Sequence, residues 1–170
     1  MGNNWKITDT LTKVFAEEAP DGQGSIRLST LHRETVSCVI AYFGAADWGR
    51  YWKVSVKAPE KIETRLRRVE LVPSAYPCHK EQDDNYLRIV PGMYPDLLRD
   101  LDTEGDGADK KYLTKEVPGQ WRSLWLDVTV DAELAGGDYA IVIETETEDG
   151  EKETLKADLH VVDASLPPQK

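Results

Sequence analysis

Carboxylates crowd the segment Asp102-Thr103-Glu104-Gly105-Asp106-Gly107-Ala108-Asp109. Acidic side chains stand at its first, third and fifth positions and glycine at its sixth, which is how a calcium loop begins. Asp102, Glu104 and Asp106 are therefore candidate calcium ligands. The twelfth position, where such a loop supplies a bidentate Glu, is Leu113, and no flanking helices are evident. A solvated acidic loop is the ordinary alternative.

Adjacent carboxylates recur at Glu17-Glu18, Asp83-Asp84 and Glu148-Asp149. Glycosidic hydrolysis needs two carboxyl groups roughly 5–10 Å apart in unlike environments. Glu148-Asp149 falls at a solvated turn and the other pairs in loop-like segments, so no catalytic residue is assigned. Cys78-His79 offers two metal-ligand types side by side, but His32 and His160 are distant and there is no C-x-x-C, so zinc is not expected. No nucleophile elbow, phosphate loop or dinucleotide fingerprint occurs, and no cofactor is implied. Aromatic residues are the remaining candidates. Trp48, Tyr51, Tyr94, Trp121 and Trp125 have faces suited to the C–H surface of a sugar ring. Trp48 and Tyr51 flank Gly49-Arg50, which reads as a loop that could present them. Packing in a core or interface is the competing explanation for all five.

Something must hold these side chains, and the chain is long enough to do so. Its 170 residues can bury roughly 70% of their unfolded surface around a single core. The net charge of -10 argues against nucleic acid and against anionic membranes as partners. No apolar run approaches the roughly 20 residues of a membrane helix. The N-terminus has no basic-then-apolar signal pattern, so a cytoplasmic location is expected. Met1-Gly2 could open a myristoylation signal, but Lys6 stands where Ser or Thr is needed. Cys38 and Cys78 read as separate thiols, with a disulfide between them as the alternative.

Period-2 alternation dominates the sequence, and no long amphipathic helix is evident. Trp5–Leu11, Ser25–Leu31, Tyr51–Lys57 and Arg65–Val72 read as strands, the last ended by Pro73. Thr35–Phe43 is apolar on both faces and reads as a central strand covered on both sides. Ser74–Pro118 reads as one long irregular region, with only Tyr86–Val90 extended and a short helical turn at Pro95–Leu101. The last third reads as a three-strand ladder. Leu124–Val130 alternates, Ala135–Tyr139 turns the chain, Ala140–Thr147 returns, Asp149-Gly150 turns again, and Thr154–Val162 closes the set. Eight or nine strands separated by turn signals predict an all-β, antiparallel, immunoglobulin-like or jelly-roll-like β-sandwich spanning residues 1–170.

One strand face is anomalous. Between Trp121 and Val130 the apolar set is Leu124, Leu126, Val128 and Val130, so Trp121 and Trp125 project from the opposite face, roughly 13 Å apart. The protein's own loop, a neighbouring domain or a ligand must cover them.

Four places carry a family resemblance. Glu34-Thr35-Val36-Ser37-Cys38-Val39-Ile40-Ala41-Tyr42 is similar to an early strand in which Glu precedes Ser-Phe-Gln. Tyr94-Pro95-Asp96-Leu97-Leu98 resembles a Tyr-Pro-Asp-Pro-Leu motif. Gly119-Gln120 with Leu124–Val130 and Ala135-Gly136-Gly137-Asp138-Tyr139 is similar to a Trp-bearing strand and an Ala-Gly-x-Tyr turn. Leu159–Pro167 resembles an exit strand. Together they resemble the N-terminal β-sandwich of glycoside hydrolase family 123 and related glycoside-hydrolase-like proteins, with Cys38, Val39 and Leu97 as departures. The resemblance implies an accessory, non-catalytic module followed by a catalytic (β/α)8 barrel, with an adjacent Asp-Glu pair in the barrel doing the chemistry. No such barrel follows Pro168 in this sequence. The C-terminal barrel of a parent chain is then the expected partner, contacted through Trp121, Trp125 and the Tyr94-Pro95-Asp96 loop. The alternatives are an independent carbohydrate-binding module using Trp48, Tyr51 and Tyr94 on a glycan, and a β-sandwich that serves as a protein-interaction domain.

Overall fold

The computed structural model describes residues 4–45, 48–78 and 86–167. These form an all-β sandwich. The strands in chain order are β1 (Trp5–Thr8), β2 (Ser25–His32), β3 (Thr35–Phe43), β4 (Tyr51–Lys57), β5 (Ile62–Ser74), β6 (Gly92–Asp100), β7 (Thr103–Glu104), β8 (Lys111–Lys115), β9 (Trp121–Val130), β10 (Gly137–Thr147) and β11 (Lys152–Ser165). One sheet has five strands in the order β1-β3-β9-β5-β6, the other six in the order β2-β11-β10-β4-β8-β7. The pairings are antiparallel except for β2 against β11, which is parallel.

Alternation dictates the core. Cys38, Ile40 and Tyr42 of β3, Leu124, Leu126, Val128 and Val130 of β9, and Leu66 of β5 face Trp52 and Val54 of β4, Ile141 and Ile143 of β10, and Leu155, Leu159 and Val161 of β11. Register keeps these positions together: Cys38 lies opposite Leu126 and Ile40 opposite Leu124. The second apolar face of β3 is also covered, because Val39 and Ala41 pack with Val14 under the segment that follows β1.

The expected ladder of the last third does not form as one unit. β10 and β11 pair along most of their length, but β9 lies in the opposite sheet between β3 and β5. The chain therefore crosses the sandwich at 131–136, which strand alternation alone cannot distinguish from a hairpin. At the β10–β11 turn only Gly150 takes a positive φ, 81°. Gly150 N–H donates to Thr147 and Thr147 N–H to Glu151, at 3.0 and 2.9 Å. This is a three-residue loop ending in a left-handed glycine rather than a two-residue Asp-Gly turn.

The region read as irregular contains β6, β7 and β8. Pro95–Leu98 is strand, not a helical turn. β6 is the sheet edge, and its register with β5 slips between Glu70 and Leu71, leaving Asp96 as the extra residue. A proline costs no ladder bond on the open side of an edge strand beside a bulge. For the same reason β5 continues through Pro73: β9 pairs with it only from Ile62 to Val69, so the proline has a single neighbouring strand. Residues Tyr86–Val90, expected to be extended, form no strand.

Candidate functional site

Three places on the molecule gather side chains with chemical potential. The first is the end of the sandwich where β3 finishes and β9 begins. There the inward positions of the strands change from apolar to charged. On β9 the series Val128, Leu126, Leu124 continues to Arg122, which lies opposite Tyr42. On β5 the inward series continues from Leu66 to Arg68 and Glu70. Next to β8, the buried series Tyr112, Thr114 continues to Glu116, only 4% exposed. These residues line a cavity of about 610 Å³ between the sheets, walled also by Trp48, Gly49, Lys115, Val117 and Pro118.

Tyr42, which lines this cavity, belongs to a buried aromatic cluster. Trp5 stacks on Tyr42 with centroids 4.8 Å apart and meets Trp52 edge-on at 5.2 Å. The Tyr42 hydroxyl pairs with Thr114 Oγ1 at 2.8 Å, and Trp52 Nε1 donates to Glu116 Oε1 at 2.8 Å. Burial pushes the Tyr42 phenol up; Thr114 and the nearby Arg68 and Arg122 oppose the shift, while Glu70 adds to it. Arg68 Nε donates to Glu70 Oε1 at 2.7 Å, and Arg122 donates to Gln120 Oε1 at 2.9 Å. Glu116 Oε2 and Arg122 Nε, both buried, have no hydrogen-bond partner among the described residues. Trp48 stands at the mouth, 87% exposed.

The second place is the outer face of the five-stranded sheet. Trp121 and Trp125 are half-buried there, packed against Val14, Val39 and Ala41. Trp121 also meets Phe43, with centroids 5.4 Å apart, and carries Lys6 Nζ above its ring at 5.2 Å. Its backbone N–H donates to Ala16 at 2.9 Å. Much of the cover expected from a neighbour is thus supplied by residues 14–16 of the same chain, and each indole keeps a partly exposed edge. Trp125 Nε1 and Ser37 Oγ donate to Asp127 Oδ1 at 2.7 Å each, and Arg67 donates to Oδ2 at 2.5 Å. Trp125 and Asp96 share a cavity of about 140 Å³ with Thr12, Val14, Pro95 and Leu98. Lys13 closes one side by pairing with Asp96 at 3.0 Å.

The third place is the open end of the β5–β6 hairpin, where Tyr76 is 88%, Leu87 73%, Val90 56% and Ile89 54% exposed. Arg88 ties its own segment to the stretch that follows β1. Its guanidinium lies 3.7 Å from the Phe15 ring centroid and pairs with Glu17 at 3.2 Å and Glu18 at 2.6 Å. The carboxylate pair Glu17-Glu18 therefore holds an arginine. Tyr94 packs edge-on against Phe15 at 5.8 Å, and its hydroxyl donates to Val90 at 2.6 Å.

The residues predicted from sequence separate among these places. Trp48 is at the first, Trp121, Trp125 and Asp96 at the second, and Tyr94 between the second and third. Tyr51 starts β4, as the strand reading of Tyr51–Lys57 expects, half-exposed, with Lys115 Nζ 5.0 Å from its ring centroid. Trp48, Tyr51 and Tyr94 do not form one platform, since Tyr94 belongs to the opposite sheet from Tyr51. Asp102, Glu104 and Asp106 do not converge: Glu104 pairs with Lys53 at 2.7 Å, and among the described residues no three His, Cys, Asp or Glu side chains are placed to hold one ion. His160 sits on the surface beside Asp138 at 2.7 Å. Cys38 and Cys78 are both free thiols. His79, the Asp83-Asp84 pair, Gly2 and Pro168 lie outside the described residues. Arg68, Glu70, Glu116 and Arg122 were not singled out from sequence. A signal existed for Arg122, which extends the inward series of β9 by one more step of two.

No protein-family model matches this sequence, and no curated protein matches it. Solved structures show what the fold is like. A family 123 glycoside hydrolase from Clostridium perfringens superposes with a TM-score of 0.69 at 9% identity, covering 96% of this chain. The match spans only 28% of that hydrolase's own chain. The N-terminal domain of PorA aligns over 95% of this chain and 99% of its own, at 7% identity and a TM-score of 0.45. A PapD-like domain of human CEP192 aligns over 97% of this chain and 92% of its own, at 10% identity and a TM-score of 0.45. At such identities the likeness is one of fold: a β-sandwich similar to part of a glycoside hydrolase.

Proposed function

We propose that this chain is the non-catalytic accessory β-sandwich of a glycoside-hydrolase-like protein, buttressing a catalytic barrel and shaping one wall of its cleft. The supporting observation is the disproportion of the family 123 match, nearly all of this chain against about a quarter of the hydrolase's chain. The order of the sequence motifs supports the same reading.

The docking surface we propose is made of Tyr76, Leu87, Ile89 and Val90, between β5 and β6 in the chain, continued by Tyr94, Asp96 and the exposed edges of Trp121 and Trp125. Clustered apolar exposure of this kind is costly in water and is what an interface would bury. The test begins with the gene. A barrel of alternating βα periodicity with an adjacent Asp-Glu pair is expected in the same reading frame or beside it. Expressed together, the two parts should co-purify. The double variant Leu87→Ser/Ile89→Ser should weaken their association by about tenfold or more without lowering the melting temperature of this chain. Absence of any barrel in or beside the frame would leave a β-sandwich interaction domain as the better reading.

A further inference from the structure

The charged end of the sandwich has no part in that docking surface, and burying unpaired charge there needs a reason. A β-sandwich closes its ends with apolar side chains or opens them to water. Here Arg122 and Arg68 continue the inward-facing series of β9 and β5; Arg68 and Glu70 are partly exposed, whereas Glu116 is buried. Arg68 and Glu70 neutralise each other at 2.6 Å. Glu116 and Arg122 do not: one carboxylate oxygen and one guanidinium N–H are left without a protein partner among the described residues. Each such buried group costs about 1–3 kcal/mol. Departures from local rules of this kind are expected at functional or strained sites.

We propose that this inter-sheet pocket binds a neutral saccharide. Glu116 requires a donor and Arg122 an acceptor, and ring hydroxyls supply both from one small skeleton, directly or through water. The exposed Trp48 indole at the mouth, with Val117 and Pro118, offers an apolar surface for the C–H face of the ring. A volume of about 610 Å³ lies within the roughly 300–1,000 Å³ of small-molecule sites and exceeds what a free amino acid would fill. The lining carries both signs, Arg68, Lys115 and Arg122 against Glu70 and Glu116, so a ligand whose hydroxyls both donate and accept matches it on both sides. Gly49 belongs to the site for a steric reason: a Cβ there would stand 2.3 Å from the Glu116 carbonyl oxygen, so a side chain would force the wall open.

The 170-residue chain itself is the material for the test, which makes it independent of any barrel. Titration of the isotopically labelled protein with methyl glycosides of neutral hexoses and with N-acetylhexosamines is followed through the indole N–H signals. Saturable shifts of the Trp48 and Trp52 signals are expected with at least one saccharide, the Trp121 and Trp125 signals staying in place. Trp48→Ala, at an exposed position where folding is not at risk, should weaken that binding by about tenfold, and Glu116→Gln or Arg122→Met should abolish it. Silence towards every saccharide overturns the proposal. So do shifts centred on Trp125, affinity unchanged in Trp48→Ala, or a response to free amino acids or glucuronate in place of neutral sugars.

Discussion

Asp127 shows how one carboxylate can organise a sheet face. It takes Ser37 from β3, Trp125 from its own strand and Arg67 from β5, three donors that fix three side chains on adjacent strands. It also acts through the sheet on Cys38. Burial, with a smaller contribution from Asp127, pushes that thiol up from 9.0 to about 12. The unfolded chain loses its Cys38 proton above pH 9 while the folded protein keeps it, so stability is complete below pH 9 and falls as pH rises towards 12. The slope is about 1.4 kcal/mol per pH unit for one such group. Urea unfolding at about pH 8 and pH 10 should therefore show a larger loss in the natural protein than in Cys38→Ala, by about 1.4 kcal/mol. Equal losses would mean that Cys38 is not the group responsible. With a thiol reagent, one cysteine, the partly exposed Cys78, should react in the folded state, and both after denaturation.

At the scale of elements, the closure between the end of β3 and the approach to β9 depends on backbone contact. Gly44 N–H donates to Gln120 and Gly119 N–H to Gly44, at 3.0 and 2.8 Å. A Cβ on Gly44 would lie 2.1 Å from the Val117 carbonyl oxygen and 2.7 Å from its carbon. No side-chain movement relieves such a clash, so Gly44→Ala should cost about 1–3 kcal/mol in denaturant unfolding. It should also loosen the 116–118 wall of the inter-sheet pocket, seen as faster exchange of the Gly119 amide. Unchanged stability would show that this wall shifts freely. The edge strand β6 follows a different logic. Pro95, the bulged Asp96 and the charged pair Arg99-Asp100 lie along a strand that would otherwise offer free backbone groups to another sheet.

For the whole molecule, one interior joins the two sheets, with Leu126 at its centre and fully buried. Leu126→Ala should cost about 2–5 kcal/mol. The unfolding transitions of the natural protein followed by tryptophan fluorescence and by far-ultraviolet circular dichroism should coincide. Separate transitions would show that the sheets do not unfold as one unit. Strands β1 to β5 and β9 to β11 and the facing of the core were legible in the sequence, whereas β6, β7 and β8 were not. Period-2 alternation is local and burial enforces it, as in Leu124-Leu126-Val128-Val130 and in the doubly apolar Thr35–Phe43. What alternation leaves open is which strands become neighbours. β9 and β10 look like a hairpin by sequence, yet they lie in opposite sheets, because pairing is settled by long-range packing of both sheet faces. Pro73 looked like a strand end and Pro95 like the start of a helical turn, because the cost of a proline depends on whether its strand has a neighbour on one side or both, which no local pattern encodes. The chain alone also marked Trp121 and Trp125 as facing away from the core, since their parity in β9 requires it. Only the tertiary structure decided what covers them, Val14 to Ala16 from more than 100 residues earlier. Only it brought Arg68, Glu70, Glu116 and Arg122 into one pocket. Each belongs to a separate stretch of chain or an unremarkable pair, and their meeting depends on register between strands rather than on any spacing along the sequence.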